Sequence, residues 1–384
     1  MTTLTIIFSS NFYSLPVETE ISNYLANETK EIDLISDLCL VDERELLDTN
    51  EGFYGGTNVK RFIMEGPGSG YFLDDRIYTK NPGIFQWSEP TFSQEWENNI
   101  SLTLDIIKSN KSSKSVKCPA DQTSLEKEHI SLNWIAAKYE NALTIDFRER
   151  DSLLQTPTQI NLVGWSRGAI SCHMLANAML QDNELKNIPI NILAFDPVID
   201  PRHAKDHQTK LGNNVKKYVG LYARDERSSE ITCVIPDTDA GTKIHIYPIA
   251  GRHTTLVGHA ETDGANGPGK FSEPNDLAFD VALRCLYYWV SPEVRNLIDS
   301  NSKHVHMPYF GTQTLKKIKD DYNSYVLMRN TTYSGSSKDI KGEREIYLNG
   351  EYTNFTAAQG SRFTPSMGLA KGHILDMSYF SDIT

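Results

Sequence analysis

Short β-branched runs alternate along the chain with longer stretches of helical character. Thr3–Phe8 (TLTIIF), Val59–Met64 (VKRFIM), Ile160–Val163 (INLV), Ile190–Phe195 (INILAF), Val215–Tyr222 (VKKYVGLY) and Ile244–Ile249 (IHIYPI) are followed by Ser, Glu-Gly, Gly, Asp, Ala and Ala and read as strands. Pro248 places the last of these at a strand end or a sheet edge, because proline cannot donate to a ladder. Leu125–Asn141 carries Ile130, Trp134, Ile135 and Tyr139 at helical spacing, and Leu277–Val290 is amphipathic. Ala169–Leu180 is a strongly apolar helix with small residues early, and Val17–Glu31 also has helical character. Strands alternating with helices predict an α/β fold with a mostly parallel sheet and helices on both faces. Ser109–Ser124 reads as a surface loop, and residues 71–100, rich in Tyr, Trp, Phe and Pro, as an irregular substrate wall. Past about residue 300 the pattern changes. Tyr325–Thr384 is rich in Ser, Thr, Asn and Gly without a helical period, so we expect a domain over 1–300 and an extension over 301–384, small β or irregular.

The chemistry concentrates at Gly164-Trp165-Ser166-Arg167-Gly168, a G-x-S-x-G pentapeptide. A strand precedes it and an apolar helix follows, the context that turns a common pattern into a nucleophile elbow. The sharp turn lifts the serine hydroxyl above the C-terminal edge of the sheet, and the glycines let strand and helix approach without a clash. The plainer alternative is a tight turn in which Ser166 only caps the helix. In the chemical reading the backbone N–H of Arg167 is one oxyanion donor. Glu65-Gly66-Pro67-Gly68-Ser69-Gly70 follows an early strand and suits the second donor, at Gly66 or Gly68. That loop lacks the lysine and spacing of a phosphate-binding loop.

A serine nucleophile needs a histidine, and the histidine an acid, in the chain order Ser, Asp, His for this fold class. Among ten histidines, His253 sits just past a strand where such a base belongs. His259 competes, His129 comes too early, His173 lies on the helix after the elbow and suits core packing, and His304 and His306 read as surface residues. Two acids fit. Asp196 closes the strand INILAF ahead of Pro197, and Asp225 follows the next strand. Asp196 ranks marginally ahead because it stands at the sheet edge without further loop folding, and Asp225 remains the alternative. The account requires that the Ser166 hydroxyl lie near a histidine ring and be reachable.

Composition narrows the partners. The 384 residues include 38 Lys plus Arg against 50 Asp plus Glu, a net charge of -12, which speaks against a phosphate-tracking surface and so against nucleic acid. Five scattered cysteines form no C-x-x-C pair and read as reduced thiols. No apolar run is long enough for a membrane span, and Met1–Phe12 has no basic n-region, so we expect synthesis in the cytoplasm without a Sec signal. Asp196, Asp200, His203, Asp206 and His207 crowd together, but Pro197 and Pro201 break the helix that would align them, so we expect no metal site there. Asp237-Thr238-Asp239-Ala240-Gly241 lacks the full calcium-loop spacing and reads as a turn. No cofactor is called for.

Taken together these motifs resemble bacterial and fungal α/β-hydrolases with a GFSRGA-type elbow, a group that includes the lipase effectors of type VI secretion systems. The elbow here is GWSRGA, Gly164–Ala169. The family's Asp-Thr-Val is similar to Asp196-Pro197-Val198, its Asp-Glu-Arg-Arg to Asp225-Glu226-Arg227-Ser228, and its Gly-x-His-Ser-Asp-x-Gly-Gly to Gly251–Gly258. Order and spacing agree over about residues 3–290. Ser9, Ser10 and Asn11 stand where the family carries aspartates, as does Thr255. The resemblance implies ester hydrolysis, on phospholipids, by a bacterial effector. Its partners would be a lipid or other acyl ester, a membrane surface, and a host or secretion-system protein. The competing reading is a catalytically silent binding module on the same scaffold, for a host protein or a lipid headgroup.

Overall fold

The computed structural model describes residues 3–8, 59–64, 157–199, 204–228, 231–257, 271–289, 311–329 and 342–355, with scattered positions between 96 and 108. In chain order the elements are β1 (Thr3–Phe8), β2 (Val59–Met64), β3 (Gln159–Trp165), α1 (Arg167–Gln181), β4 (Ile190–Phe195), β5 (Lys210–Leu211), β6 (Val215–Ala223), β7 (Cys233–Ile235), β8 (Asp237–Thr238) and β9 (Lys243–Ile249). There follow α2 (Glu273–Trp289), α3 (Gly311–Asp320), α4 (Tyr322–Met328), β10 (Glu345–Leu348) and β11 (Glu351–Asn354).

Six strands form one sheet in the order β2-β1-β3-β4-β6-β9, and every neighbouring pair is parallel. This is the α/β class that the alternation predicts. Parallel strands covered on both faces are near-continuous in apolar side chains, and the two buried polar exceptions in β3 and β4, Asn161 and Asn191, bond each other at 3.0 Å. Accordingly all six residues of β4 are buried, and so are Ile160–Trp165 of β3. β9 is the last strand in the order, and Pro248 lies one residue from its end, so the missing N–H costs little. Chain order runs outward in both directions from the β1/β3 pair. In sheets of this kind ligands bind beyond the C-terminal strand ends at that switch point, and Ser166 is the residue directly after β3.

α1 covers β3, β4 and β1, burying Ala169, Ile170, Leu175 and Ala176. α2 starts at Glu273, four residues before the expected Leu277, with Pro274 at its second position and Glu273 and Asp276 in its first turn. Trp96, Glu97 and Ile100 are helical rather than irregular, and Trp96 and Ile100 are buried. Residues 125–141, 109–124 and 17–31 lie outside the described residues. Among the described residues no helix is long and apolar enough to cross a membrane.

Tyr325–Met328 is helical, where composition argued against a helical period. The signal is one buried stripe, Leu315, Ile318, Tyr325 and Met328, spread over the short helices α3 and α4. β10 and β11 form an antiparallel hairpin, and β10 pairs in parallel with β7 in the register Ile346↔Cys233. The residues after 311 therefore share a sheet with the loop region that follows β6.

Candidate active site

The elbow is strained at one residue. Ser166 has φ 55° and ψ −123°, a backbone conformation that costs a non-glycine residue on the order of 1–3 kcal/mol. Sheet bonds hold it: Ser166 N–H donates to the Phe195 carbonyl at 2.8 Å, and the Ser166 carbonyl accepts from Val198 at 3.3 Å. Gly164 explains the motif physically. A Cβ there would lie 2.5 Å from the carbonyl carbon and oxygen of Gly168, a backbone that cannot yield without moving α1. Arg167 opens α1, placing its backbone N–H at the helix N-terminus beside the serine.

Asp196 repeats the device after β4. Its φ is 44°, and its N–H donates to Leu221 at 2.7 Å, so the strand pairing persists while the side chain turns. His253 follows β9 in a tight loop opened by Gly251, whose φ of 96° suits glycine. Thr255 braces this loop, its hydroxyl accepting from Arg252 N–H at 3.1 Å.

These three loops bring Ser166, His253 and Asp196 together. His253 Nδ1 lies 2.6 Å from Asp196 Oδ2, and His253 Nε2 lies 3.0 Å from Ser166 Oγ. An ionised carboxylate only accepts, so Nδ1 carries the proton and Nε2 accepts from the serine hydroxyl. The Trp165 ring stacks on the imidazole at 4.9 Å between centroids. Burial opposes ionisation of Asp196, yet Arg344 and the imidazole outweigh it and hold the carboxyl below the usual carboxylate range. All three side chains are buried, with Ser166 only 1% exposed, so the hydroxyl is near its histidine but closed to solvent.

Asp225 is placed differently. It is fully buried and accepts from Arg329 Nε at 2.6 Å, Gly251 N–H at 2.8 Å and Arg224 at 3.2–3.3 Å. It fastens the loop that carries His253 instead of meeting the imidazole. Its neighbour Glu226 does the same from the other side, accepting from Arg252 Nη2 at 2.7 Å and from His253 N–H at 3.2 Å. Arg252 Nη1 donates to the Met328 carbonyl at the end of α4.

Other sequence candidates fall elsewhere. His173 is a core residue on α1, with Nδ1 2.8 Å from the Gln208 carbonyl and Nε2 3.3 Å from the Tyr218 hydroxyl. Asp206 pairs with Lys210 and His207 with Glu97, so they do not converge on Asp196, and no metal-holding group occurs among the described residues. Asp239 accepts from Gly241 N–H at 2.9 Å, as a turn residue does. Gly66, Gly68, His129, Asp200, His203, His259, His304 and His306 lie outside the described residues. Sequence reasoning missed Arg344, which grips Asp196 from the C-terminal segment, and the Glu226–Arg252 pair.

No family model and no curated protein matches the chain. Solved structures similar to it include the Tle1 effector bound to the VgrG spike from the Type 6 secretion system, at 12% identity and a TM-score of 0.32, covering 69% of this chain and 52% of that one. An uncharacterized protein from Pseudomonas aeruginosa matches at 12% identity and a TM-score of 0.34, over 86% of this chain and 60% of that one. The chain thus spans between half and three fifths of the solved chains it matches. Likeness at this level says nothing about activity, which has to be argued from the site.

Proposed function

We propose that the protein is a serine hydrolase that cleaves carboxylic esters through an acyl-enzyme. The observation that carries this reading is the continuous hydrogen-bonded chain Ser166 Oγ to His253 Nε2 at 3.0 Å and His253 Nδ1 to Asp196 Oδ2 at 2.6 Å. In this reading Ser166 Oγ attacks the acyl carbonyl carbon while its proton passes to Nε2. Asp196 fixes the imidazole tautomer and stabilises the imidazolium. The Arg167 backbone N–H, with a second donor expected from the Gly66–Gly68 loop, faces the oxyanion. Collapse expels the alcohol, which takes the proton from Nε2. Water, deprotonated by the same nitrogen, then releases the acid and restores Ser166.

A phospholipid or other lipid ester as substrate, and delivery as a bacterial effector with a secretion-system partner, rest on the motif resemblance alone. Burial of Ser166 favours one further reading, the silent binding module. A buried hydroxyl also means that an ester reaches Oγ only after the groups covering it move.

The test uses full-length protein and its Ser166→Ala variant on p-nitrophenyl esters and on phospholipid vesicles, with fluorophosphonate labelling in buffer and in detergent micelles. We expect labelling at Ser166 and a rate loss of about 10⁴-fold or more in the variant. Equal rates for the two proteins would refute the hydrolase. No labelling in either medium would favour the binding module.

A further inference from the structure

Resting on the hydrolase reading, we propose that Arg344 is a positioning residue of the triad, and that the C-terminal segment carrying it is part of the catalytic centre. Arg344 is 148 positions from Asp196 in sequence, yet its guanidinium meets the carboxylate edge-on. Nη1 donates to Oδ1 at 2.5 Å and Nη2 to Oδ2 at 2.9 Å. Such a fork fixes orientation as well as distance, because two parallel bonds resist rotation of the carboxylate about its own axis. The guanidinium is itself pinned, with Nη1 donating to the Ala223 carbonyl at 2.6 Å and Nη2 to the Ile231 carbonyl at 3.1 Å.

Asp196 has no spare capacity. Oδ1 accepts from Ala223 N–H at 3.1 Å and from Arg344, and Oδ2 accepts from His253 and from Arg344. Without Arg344 the carboxylate would keep one backbone donor and the imidazole. The aim of Oδ2 at Nδ1 would then be unsupported, and a buried anion would lose its counter-charge.

The backbone is built to hold both partners of this pair. Arg344 immediately precedes β10, β10 pairs with β7, and β7 returns to the residues after Asp196. Val234 N–H donates to the Pro197 carbonyl at 2.8 Å, and Val198 bridges to Cys233. One hydrogen-bonded ribbon therefore sets the separation of guanidinium and carboxylate.

A cation on the far side of the aspartate also offsets part of the pull that Asp196 exerts on an imidazolium. Among the described residues the charged or titratable groups around Asp196 and His253 include Arg344 before β10, Cys233 on β7, Tyr218 and Tyr222 on β6, Asp225 and the Glu226–Arg252 pair against the His253 loop, and Ser166. Of these, Arg344 is the cation in direct contact with the carboxylate.

The experiment compares full-length wild type, Arg344→Met and Arg344→Lys in the ester assay across pH, normalised to folded protein by near-ultraviolet circular dichroism. For Arg344→Met we expect kcat to fall ~100-fold, as for a reacting group displaced by about an ångström. KM should stay within about twofold, since Arg344 touches no substrate. The acid limb of the kcat profile should move to higher pH, because removing the cation favours the protonated imidazole. Arg344→Lys keeps the charge without the fork, so its acid limb should stay with wild type while kcat remains ~10-fold down.

An Arg344→Met variant with wild-type kcat per folded molecule and an unmoved acid limb would overturn the inference. If Arg344→Met does not fold, Arg344→Lys decides, and wild-type kcat there overturns it. A wild-type protein without Ser166-dependent activity overturns the hydrolase reading and this inference with it. An active wild type with indifferent Arg344 variants overturns this inference alone.

Discussion

Lowering the pH from 7 to 5 should destabilise the protein by about 2 kcal/mol through His173 alone. The ring is fully buried on α1 between the Gln208 carbonyl and the Tyr218 hydroxyl. Burial disfavours the imidazolium, the Gln208 carbonyl only partly compensates, and the pKa falls from 6.5 to about 4. Between those values the unfolded chain binds the proton and the folded one does not. The stabilisation is therefore complete above about pH 6.5 and is lost as pH falls toward 4. At about 1.36 kcal/mol per pH unit the whole window amounts to roughly 3 kcal/mol, most of it spent by pH 5. Asp196 and Glu226 act in a different window. Their carboxyls are held low, so their contribution is present above the ordinary carboxylate range and disappears only as pH falls below it. His207 is shifted down as well, but it is half-exposed and adds little. Urea titrations at half-unit steps from pH 5 to 8 on wild type and His173→Gln read the effect. The variant should be less stable at pH 7 and nearly flat over this range. Equal pH slopes for the two proteins would refute the assignment.

Gly164→Ala should lower the urea midpoint by an amount equivalent to about 1–3 kcal/mol, since its Cβ would strike the Gly168 backbone; an unshifted midpoint would show that α1 can retreat freely. Asp225→Asn should cost about 3 kcal/mol in the same titration, because it leaves Arg329 and Arg224 short of a buried counter-charge; a wild-type midpoint would show that the Asp225 cluster is dispensable.

The sheet was legible because its requirements are local. Strands covered on both faces read as near-continuous apolar runs, and INILAF in β4, interrupted only by Asn191, is one. The elbow was legible for a similar reason: the demand for glycine at 164 comes from a backbone four residues away. β7 was not, and β10 and β11 were legible only as an unplaced small β extension, since three or four residues give no period to read. Asp196 and Asp225 were hard to separate because both follow strands of the same sheet. What distinguishes them is a set of arginines, of which Arg224 is adjacent in sequence but Arg329 and Arg344 come from more than a hundred residues away. Residues 301–384 read as a small β or irregular extension, with nothing to single out Arg344, yet Arg344 is buried.

Net charge misdirects attention here for an electrostatic reason. The chain as a whole carries -12, but the layer behind the His253 loop sets Arg224, Arg227, Arg252, Arg329 and Arg344 against Asp196, Asp225 and Glu226. Among the described residues these cations outnumber these anions, and Asp196, Glu226 and Arg227 are all shifted down while Arg344, gripped by Asp196, is shifted up. Asp196 and Glu226 are held below the carboxylate range despite burial, while Arg227, desolvated and facing Arg329, is pushed down to about 10. The neighbouring guanidinium groups keep Asp196 and Glu226 ionised despite their burial. In the proposed hydrolase that condition is needed, since a protonated Asp196 could neither fix the His253 tautomer nor balance an imidazolium. The arginines of the C-terminal segment, Arg329 and Arg344, supply part of that positive charge, so the charge balance that the proposed triad needs is assembled only when residues after 311 pack against the loops that follow β4, β6 and β9.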